Sequence, residues 1–323
     1  MIFLFVAVVI FFYCLHKLLP LCFQYEQSKT VLPYCVTKGF RYDQRFLEMG
    51  KQHFLSSGVI ICCMLRDAEK IITNVRGRLT TLHQHFKNYR LLIVENDSRD
   101  NTRERLLEWQ AQDSNLTILG CGENQLVCNY DMMKTRGHAH CSQRITKMAS
   151  LRNIYLDYIA QKIDHTKYQY TIVLDGDLEG MIYPEGLYDT ANLFMRDESI
   201  DAVACNGWSA TMKQWCLKFF DPYAFEFHPS SAQRTLSYWE ERMPFLFHLL
   251  RYRFVRYNAK PLKVLSAFNG LAIYRTKSVV KYRYDSGLAS HGRPRCEHKY
   301  LHEQMNMLFN PKFFFLIYAN PVL

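Results

Sequence analysis

The sequence lacks several patterns that would identify a protein class directly. None of its 11 cysteines forms a C-x-x-C pair, which argues against a zinc ribbon. It contains no internal repeat, no low-complexity tract and no block of five or more like charges. The net charge of +10 is instead spread as single Lys and Arg residues. This distribution suits an anionic small molecule at least as well as nucleic acid, and we expect no nucleic-acid partner.

The chain has enough apolar residues for a large core. Of its 323 residues, 49% are hydrophobic, which excludes a disordered protein. The length allows one large domain or two modest ones. Cys62 and Cys63 fall inside an apolar run, where cysteine behaves as a small hydrophobic residue.

The N-terminus is apolar and uncharged. It reads MIFLFVAVVIFFYCL, and a second apolar piece, LLPLCF, follows His16 and Lys17. Together these pieces approach the roughly 20 residues that cross a bilayer. A cleaved signal peptide would need a basic start and a small-residue cleavage site, and both are missing. We therefore predict an uncleaved membrane anchor at 1–23 and a stem at 24–57, with a buried core helix as the alternative.

From residue 58 onward, buried strands alternate with helices. The predicted strands are GVIICCML (58–65), YRLLIVE (89–95), LTIL (116–119) and YTIVL (170–174). Apolar spacing of three or four residues predicts helices between them, at 71–86, 100–109 and 144–161. The alternation predicts an α/β fold with a mostly parallel, doubly wound sheet and helices on both faces. Ligands of such sheets collect at the carboxyl ends of the strands.

The second half of the chain has a different character. From about Pro222 the sequence is dense in aromatic residues and loses the clear alternation. A strand with a glycine break is predicted at 263–276 and a last strand at 313–319. We expect this half to complete the same domain.

Two carboxylates, Asp175 and Asp177, directly follow the strand YTIVL. Such a pair offers hard oxygen ligands to Mg²⁺ or Mn²⁺, with substrate phosphates completing the coordination. An EF-hand is excluded, because Gly186 occupies the twelfth position where a bidentate Glu is required. A haloacid-dehalogenase-type phosphatase is an alternative, although Glu179 stands where that family needs Thr or Val. A purely structural turn is the other alternative.

Polar residues also mark the ends of the first two strands. Arg66 follows the first, and Glu95 and Asp97 lie at the end of the second, in the stretch VENDSRDNT. An acidic residue in such a position can accept hydrogen bonds from a ribose, although these residues would equally make an ordinary turn with a helix N-cap. Arg152, on the helix at 144–161, borders its buried face and can direct a guanidinium at a diphosphate.

A histidine pair lies in the late stretch CEHKYLHEQM. If this stretch is helical, His298 and His302 lie four residues apart on one face, a spacing that suits a shared metal. An ordinary polar helix turn is the alternative. The apolar residues of the stretch, such as Leu301, predict that the helix is held against the core.

The ordered set of motifs resembles a known family. MLRDAEKI, VENDSRDNT, SLRN and VLDGDLEG resemble the nucleotide-sugar-binding half of a GT-A glycosyltransferase. SAFNGLAIY and CEHKYLHEQMNMLFNPKFFF resemble the C-terminal half of the fungal capsule-associated (cryptococcal) mannosyltransferase group. The resemblance implies a GT-A-like, Rossmann-like catalytic domain at 58–323, with a nucleotide-sugar-binding half at 58–206 and an acceptor-binding half at 207–323.

The resemblance also implies an activity. A type II enzyme of the ER or Golgi membrane, with a lumenal catalytic domain, would use Mn²⁺ or Mg²⁺. It would move a hexose, with mannose as one candidate, from a GDP- or UDP-sugar to a glycan or glycoprotein acceptor. The positive-inside rule favours the opposite orientation, because Lys17 and Lys29 lie C-terminal to the apolar run. A catalytically inactive, membrane-anchored binding protein of the same fold is the alternative, since a fold does not by itself imply turnover.

The resemblance implies roles around the metal and the reacting bond. Asp175 and Asp177 become the metal and ribose carboxylates, with Asp177 also counted as catalytic. His298 is expected to reach the metal or the diphosphate. Glu297 is expected to serve as general base or donor-sugar contact.

Further contacts with the donor follow from the same resemblance. Glu95 and Asp97 are expected to contact the nucleoside, and Arg66 and Arg152 the diphosphate. Asn269 and Gly270 are expected to line the sugar and acceptor side.

Overall fold

The domain combines one large sheet with helices. The computed structural model describes residues 40–120, 142–210, 217–229, 260–287 and 295–318. The helices are α1 Gln44–Leu55, α2 Ile72–His83, α3 Thr102–Gln112, α4 Ser142–Lys162, α5 Pro184–Arg196, α6 Thr276–Val279 and α7 Glu297–His302. The strands are β1 Gly58–Leu65, β2 Asn88–Glu95, β3 Leu116–Gly120, β4 Tyr170–Leu174, β5 Glu179–Ile182, β6 Ala202–Ala210, β7 Leu217–Phe219, β8 Glu226–Phe227, β9 Leu262–Ser266, β10 Leu271–Arg275 and β11 Met307–Tyr318.

All strands of the described residues join one sheet. The order is β3-β2-β1-β4-β10-β6-β11-β9-β8, with β5 paired to β11 and β7 paired to β6. The first four strands in this order are parallel, and Leu65 at the end of β1 pairs with Glu95 at the end of β2. The carboxyl ends of β1, β2 and β4 therefore meet at one edge of the sheet.

The prediction of a mostly parallel sheet is wrong for the second half. Strand β10 runs antiparallel to both β4 and β6, and β11 runs antiparallel to β5 and β9 and parallel to β6. The sheet is therefore mixed. A strand's own residue pattern records its burial but not its direction, which depends on the path of the connections.

The core lies on both faces of the sheet, as predicted. Alternate residues of β1 point to opposite faces: Ile60 and Cys62 belong to one apolar cluster, whereas Ile61 and Cys63 belong to the other. Helices α4 and α7 cover the first face, and α1, α2, α3 and α5 cover the second. Cys62 and Cys63 are buried free thiols, which agrees with their expected packing role.

Helix α1 lies inside the range predicted to be a stem. Asp43 caps its first turn by accepting from the backbone N–H groups of Arg45 and Phe46. Leu47 and Phe54 are buried, and the helix packs against α5. The folded domain therefore begins before residue 58, because an amphipathic segment that looks like a linker in isolation finds an apolar surface to cover.

The predicted anchor, 1–23, lies outside the described residues. Of the helices within the described ranges, none has both the length and the apolar character that a bilayer crossing requires.

The packing of α1 on α5 depends on a glycine. A Cβ at Gly50 would lie 2.0 Å from the carbonyl oxygen of Tyr188, so the two helices could not keep their distance. We expect Gly50→Ala to lower the free energy of unfolding by about 1–3 kcal/mol, the usual cost of overpacking. Chemical denaturation of the purified domain measures this change.

Gly77 in α2 provides the matched control. A Cβ there would meet nothing within 4 Å, so Gly77→Ala should stabilise the protein by about 0.5–1 kcal/mol through helix propensity. Equal effects of the two substitutions would contradict the close contact between α1 and α5.

Candidate active site

An open cleft of about 510 Å³ lies at the carboxyl ends of the parallel strands. The ends of β1, β2 and β4 form one side, with Arg66, Asn96 and Asp175 among the lining residues. The start of α4 and the loop after β7 contribute a second side, and α7 closes the far end with Glu297 and His298. The cleft therefore brings together residues from both halves of the chain.

A larger groove of about 700 Å³ lies elsewhere, between α1 and α5, and its lining includes Met49, His53 and Met195. None of the predicted site residues lines it. We therefore place the candidate active site in the smaller cleft, where the polar groups converge.

Backbone contacts hold the loop that carries the two aspartates. The N–H of Asp175 donates to the carbonyl of Gly270 at 3.0 Å, and Arg78 donates to the carbonyl of Gly176 at 2.8 Å. Gly176 packs so closely on β1 that a Cβ there would lie 2.8 Å from Cδ2 of Leu65. The contacts that fix the loop are made by its backbone, and Asp177 is exposed at the cleft.

Arg152 links the two sides of the cleft. Its side chain is buried, with Nε 3.0 Å from Oε1 of Glu297 and Nη2 3.3 Å from Oδ1 of Asp175. The guanidinium also lies over the rings of Phe268 and Tyr284, at 5.2 and 5.7 Å. Its donors are thus directed at carboxylates of the protein, and the diphosphate contact predicted for Arg152 remains a prediction.

Several carboxyl groups lie close together in the cleft around this arginine. Burial raises the pKa of Asp175 to about 7; the Arg152 guanidinium opposes the rise, and the nearby Asp177 and Asp221 add to it. Burial, with Glu297 close by, likewise raises the pKa of Asp221 to about 6. The cleft therefore has a surplus of carboxylates that a cation or hydroxyl groups would stabilise.

Asp221 lines the cleft, although its sequence pattern did not predict a site there. It follows β7, and its φ of 51° places it in the left-handed region that few non-glycine residues adopt. Its carboxylate accepts from the N–H of Ala224 at 3.3 Å, within the turn that follows β7. The Asp-Pro pair at 221–222 is a turn signal that could have drawn attention to it.

Glu95 does not reach the cleft. It is only 1% exposed, and its oxygens accept from the N–H of Ser98 at 2.7 Å and from Arg103 at 3.0 Å. Both oxygens hold the loop after β2, so Glu95 is not placed to make the contact with the nucleoside that we expected. Asp97 is exposed on the same loop, with a φ of 46°, and does not line the cleft.

Three lining residues could take part in donor binding. Asn96 is 2% exposed, and its Oδ1 finds no hydrogen-bond partner within the described ranges. Successive side chains of a strand point in opposite directions. Because Glu95 points away from the cleft, Asn96 could have been expected to face it. Arg144 is exposed along the cleft two turns before Arg152 on α4, and Arg66 lies at its rim beside Asp67.

Asn269 and Gly270 lie beneath the aspartate loop and do not line the cleft. Both adopt positive φ angles, of 60° and 90°. Asn269 is fully buried, and the carbonyl of Gly270 accepts the N–H of Asp175. We expected these residues on the sugar side, whereas their tight turn between β9 and β10 supports Asp175 from below.

The two histidines of α7 have different surroundings. His302 is fully buried, with Nδ1 3.0 Å from Oγ of Ser266 and Nε2 2.7 Å from the hydroxyl of Tyr274. The expectation that His298 and His302 share a metal is therefore wrong, because both nitrogens of His302 are engaged by the protein. Burial, with Arg152 nearby, lowers the pKa of His302 to about 3.

His298 faces the cleft instead. It is 2% exposed, and its ring stacks on Phe268 at a centroid distance of 3.8 Å. Burial lowers its pKa well below the usual value, and Arg152 and His302 act in the same direction. The imidazole is therefore neutral at physiological pH.

The aspartate pair fits a hard divalent cation. No group of three or more His, Cys, Asp or Glu among the described residues is arranged to hold a metal. Mg²⁺ and Mn²⁺, however, are often held by one or two carboxylates, with substrate phosphates as further ligands. Asp177 is exposed, and burial, with Asp177 and Asp221 nearby, raises the pKa of Asp175. Two carboxylates in this setting are a suitable donor set.

The solved structures that match the chain have low sequence identity and low TM-scores. S. aureus TarS 1–349 is 15% identical, with a TM-score of 0.42, and the match covers 81% of this chain and 60% of that one. The mannosyltransferase PcManGT from Pyrobaculum calidifontis, in complex with GDP-Man and Mn²⁺, is 10% identical, with a TM-score of 0.42, covering 84% and 63%. The chain thus spans about three fifths of the length of these structures. Structural similarity this low does not indicate which activity the chain has.

No curated protein matches the chain. The family comparison is more direct, since residues 58–303 match the family described as Cryptococcal mannosyltransferase 1. The matched range includes every residue described above as lining the cleft. The chain therefore belongs to the cryptococcal mannosyltransferase 1 family.

Proposed function

We propose that this protein transfers a hexose from a nucleotide-diphosphate sugar to a hydroxyl of a glycan or glycoprotein. The observation that carries the proposal is the convergence, in one cleft, of Asp175 and Asp177 from the end of β4 with Glu297 from α7. Family membership argues for a transferase over the phosphatase alternative. Mannose is the candidate sugar, because the family is described by a mannosyltransferase.

Asp175 and Asp177 are the residues that would hold Mn²⁺ or Mg²⁺ in this proposal. When bound, the cation would neutralise charge on the departing diphosphate. The protein's part is to present the two carboxylates on a loop whose backbone is fixed by Arg78 and Gly270. A carboxylate pair held in this way loses little further freedom on binding.

Arg66 and Arg144 supply positive charge along the cleft, and we assign them to the diphosphate. Arg144 is on α4 and Arg66 follows β1, so they approach the cleft from different elements. Guanidinium groups suit this task, because their donors match phosphate oxygens in geometry. Asn96, with its unpaired Oδ1, is the candidate nucleoside contact at this end.

Glu297 is assigned to the acceptor side. Arg152 fixes its position through the bond between Nε and Oε1, so the carboxylate is held in place before substrate arrives. A general base must lie within hydrogen-bond reach of the acceptor hydroxyl, and Glu297 lines the cleft as that role requires. Arg152 acts through Asp175 and Glu297 and is a positioning residue.

The metal assignment predicts the effect of removing one charge. Asp177→Asn should abolish metal-dependent binding of the nucleoside diphosphate, because a neutral amide no longer attracts the cation. Asp177 is exposed, so the unfolding temperature should not change. Isothermal titration with GDP and with UDP, each with and without Mn²⁺, measures the effect.

Glu198→Gln removes an exposed carboxylate outside the cleft and is the matched control. It should bind like the wild type. Undiminished metal-dependent affinity in Asp177→Asn would contradict the assignment.

The role of Glu297 predicts a loss of turnover. Glu297→Gln should lower kcat by about 10²-fold or more with donor affinity largely retained, since the amide keeps the size of the side chain but cannot accept a proton. Transfer is measured with a nucleotide sugar and an acceptor glycan, and donor affinity by titration.

Glu303→Gln tests a carboxylate just beyond the same helix. It pairs with Arg295, through contacts of 3.2 and 2.6 Å, away from the cleft, and its loss should leave kcat unchanged. Near-normal turnover in Glu297→Gln would remove Glu297 from the catalytic residues.

We further propose that residues 1–23 anchor the protein in the ER or Golgi membrane with the catalytic domain in the lumen. The uncharged apolar N-terminus supports the anchor. The lumenal placement rests on the family resemblance alone, since Lys17 and Lys29, C-terminal to the apolar run, favour the opposite orientation. Microsomes containing the full chain should protect the domain from added protease until detergent is present. Digestion of the domain in intact microsomes would contradict the lumenal placement.

A further inference from the structure

His298 is a polar side chain buried without a hydrogen-bond partner. Neither ring nitrogen has a hydrogen bond within the part of the chain that the structure describes, although the residue is only 2% exposed. Oε1 of Glu297 lies 3.7 Å from Nε2, beyond hydrogen-bond distance. Phe268 stacks on the ring, and the ring of Tyr284 meets it edge-on at 5.4 Å. Buried polar groups are nearly always paired, so two unpaired nitrogens at a cleft point to a ligand that pairs with them.

His302 is an internal comparison for this observation. It lies one turn further along the same short helix, and its two nitrogens are engaged by Ser266 and Tyr274. The fold thus provides hydrogen-bond partners for both nitrogens of His302 and for neither nitrogen of His298, which lies at the cleft wall. The difference lies in what each ring faces, since His298 lines the cleft and His302 does not.

The described residues around His298 do not form a separate cation site. No group of three or more His, Cys, Asp or Glu among them is arranged to hold a metal. The Arg152 guanidinium, which pairs with Asp175 and Glu297, lies 5.2 Å from the Phe268 ring on which the imidazole stacks. The titrations below distinguish a sugar contact of His298 from a contact with the metal held by Asp175 and Asp177.

We propose that His298 hydrogen-bonds a hydroxyl group of the transferred sugar and so contributes to donor selection, an inference that rests on the proposed function. A neutral imidazole has one donor and one acceptor nitrogen, which matches a hydroxyl that both donates and accepts. Glu297 and Asp221 line the same end of the cleft and accept hydrogen bonds from further hydroxyls. These carboxylates, with Asp175, repel an acidic sugar, so the geometry selects a neutral hexose.

The test distinguishes a contact of His298 with the sugar from a contact with the nucleotide. Binding constants are measured by titration with Mn²⁺ for GDP and GDP-mannose, and for UDP and UDP-N-acetylglucosamine. His298→Phe keeps an aromatic ring against Phe268 but has no polar atom. It should weaken binding of the nucleotide sugar by about three- to tenfold, the value of one hydrogen bond, while the affinity for the free nucleotide stays the same.

His298→Gln should recover part of the loss, because its amide again offers a donor and an acceptor. His302→Gln is the matched control: it should lower the unfolding temperature and leave the ratio of the two affinities unchanged. Retained nucleotide binding in His298→Phe would also demonstrate that the variant is folded.

Two outcomes overturn the inference. Equal weakening of free nucleotide and nucleotide sugar would identify His298 as a metal or diphosphate contact, and an unchanged ratio would mean that it does not touch the sugar. Both outcomes leave the proposed function standing if Asp177→Asn still abolishes metal-dependent binding. A wild-type protein that binds none of the four ligands would overturn the proposed function itself, and this inference with it.

Discussion

The buried guanidinium of Arg152 is the interaction on which the arrangement of the cleft depends. It joins Asp175, at the end of a central strand, to Glu297, at the start of α7, two residues that are far apart in the sequence. Burying a charge costs several kcal/mol unless it is paired, and removing one partner of such a group typically costs about 3–5 kcal/mol. The guanidinium of Arg152 therefore holds β4, α4 and α7 in one relative position. The energetic penalty for separating them makes the site rigid before any ligand binds.

Backbone contacts around this ion pair fix the aspartate loop. Asp175 is held by its own N–H on the carbonyl of Gly270, a residue whose φ of 90° is costly for other amino acids. Gly176 lets the loop lie directly on β1. Because glycine and backbone groups fix the loop, the exposed carboxylate of Asp177 is not needed for that purpose, whereas the carboxylate of Asp175 also pairs with Arg152. The buried side chain of Glu95 fixes the neighbouring loop, which follows β2.

The parts of the fold that could be predicted are those recorded in local patterns. The first four strands lie within one residue of their predicted bounds, because a buried parallel strand is a continuous apolar run between turn residues. Asp175 and Asp177 could be placed at the cleft for the same reason, since they follow such a run. The antiparallel strands, such as β10, and the docking of α1 could not be predicted, because strand direction and the partner of an amphipathic helix are properties of the whole chain.

The sequence by itself determined the α/β alternation, the aspartate pair at a strand end and, through its ordered motifs, the family. Tertiary structure decided which polar residues face the cleft. Within one strand end it turned Glu95 inward and left Asn96 at the cleft, and within one helix it paired His302 and left His298 open. Residues so close in the chain have similar sequence signals. Their roles differ because side-chain direction and the availability of a partner are set by elements that are distant in sequence.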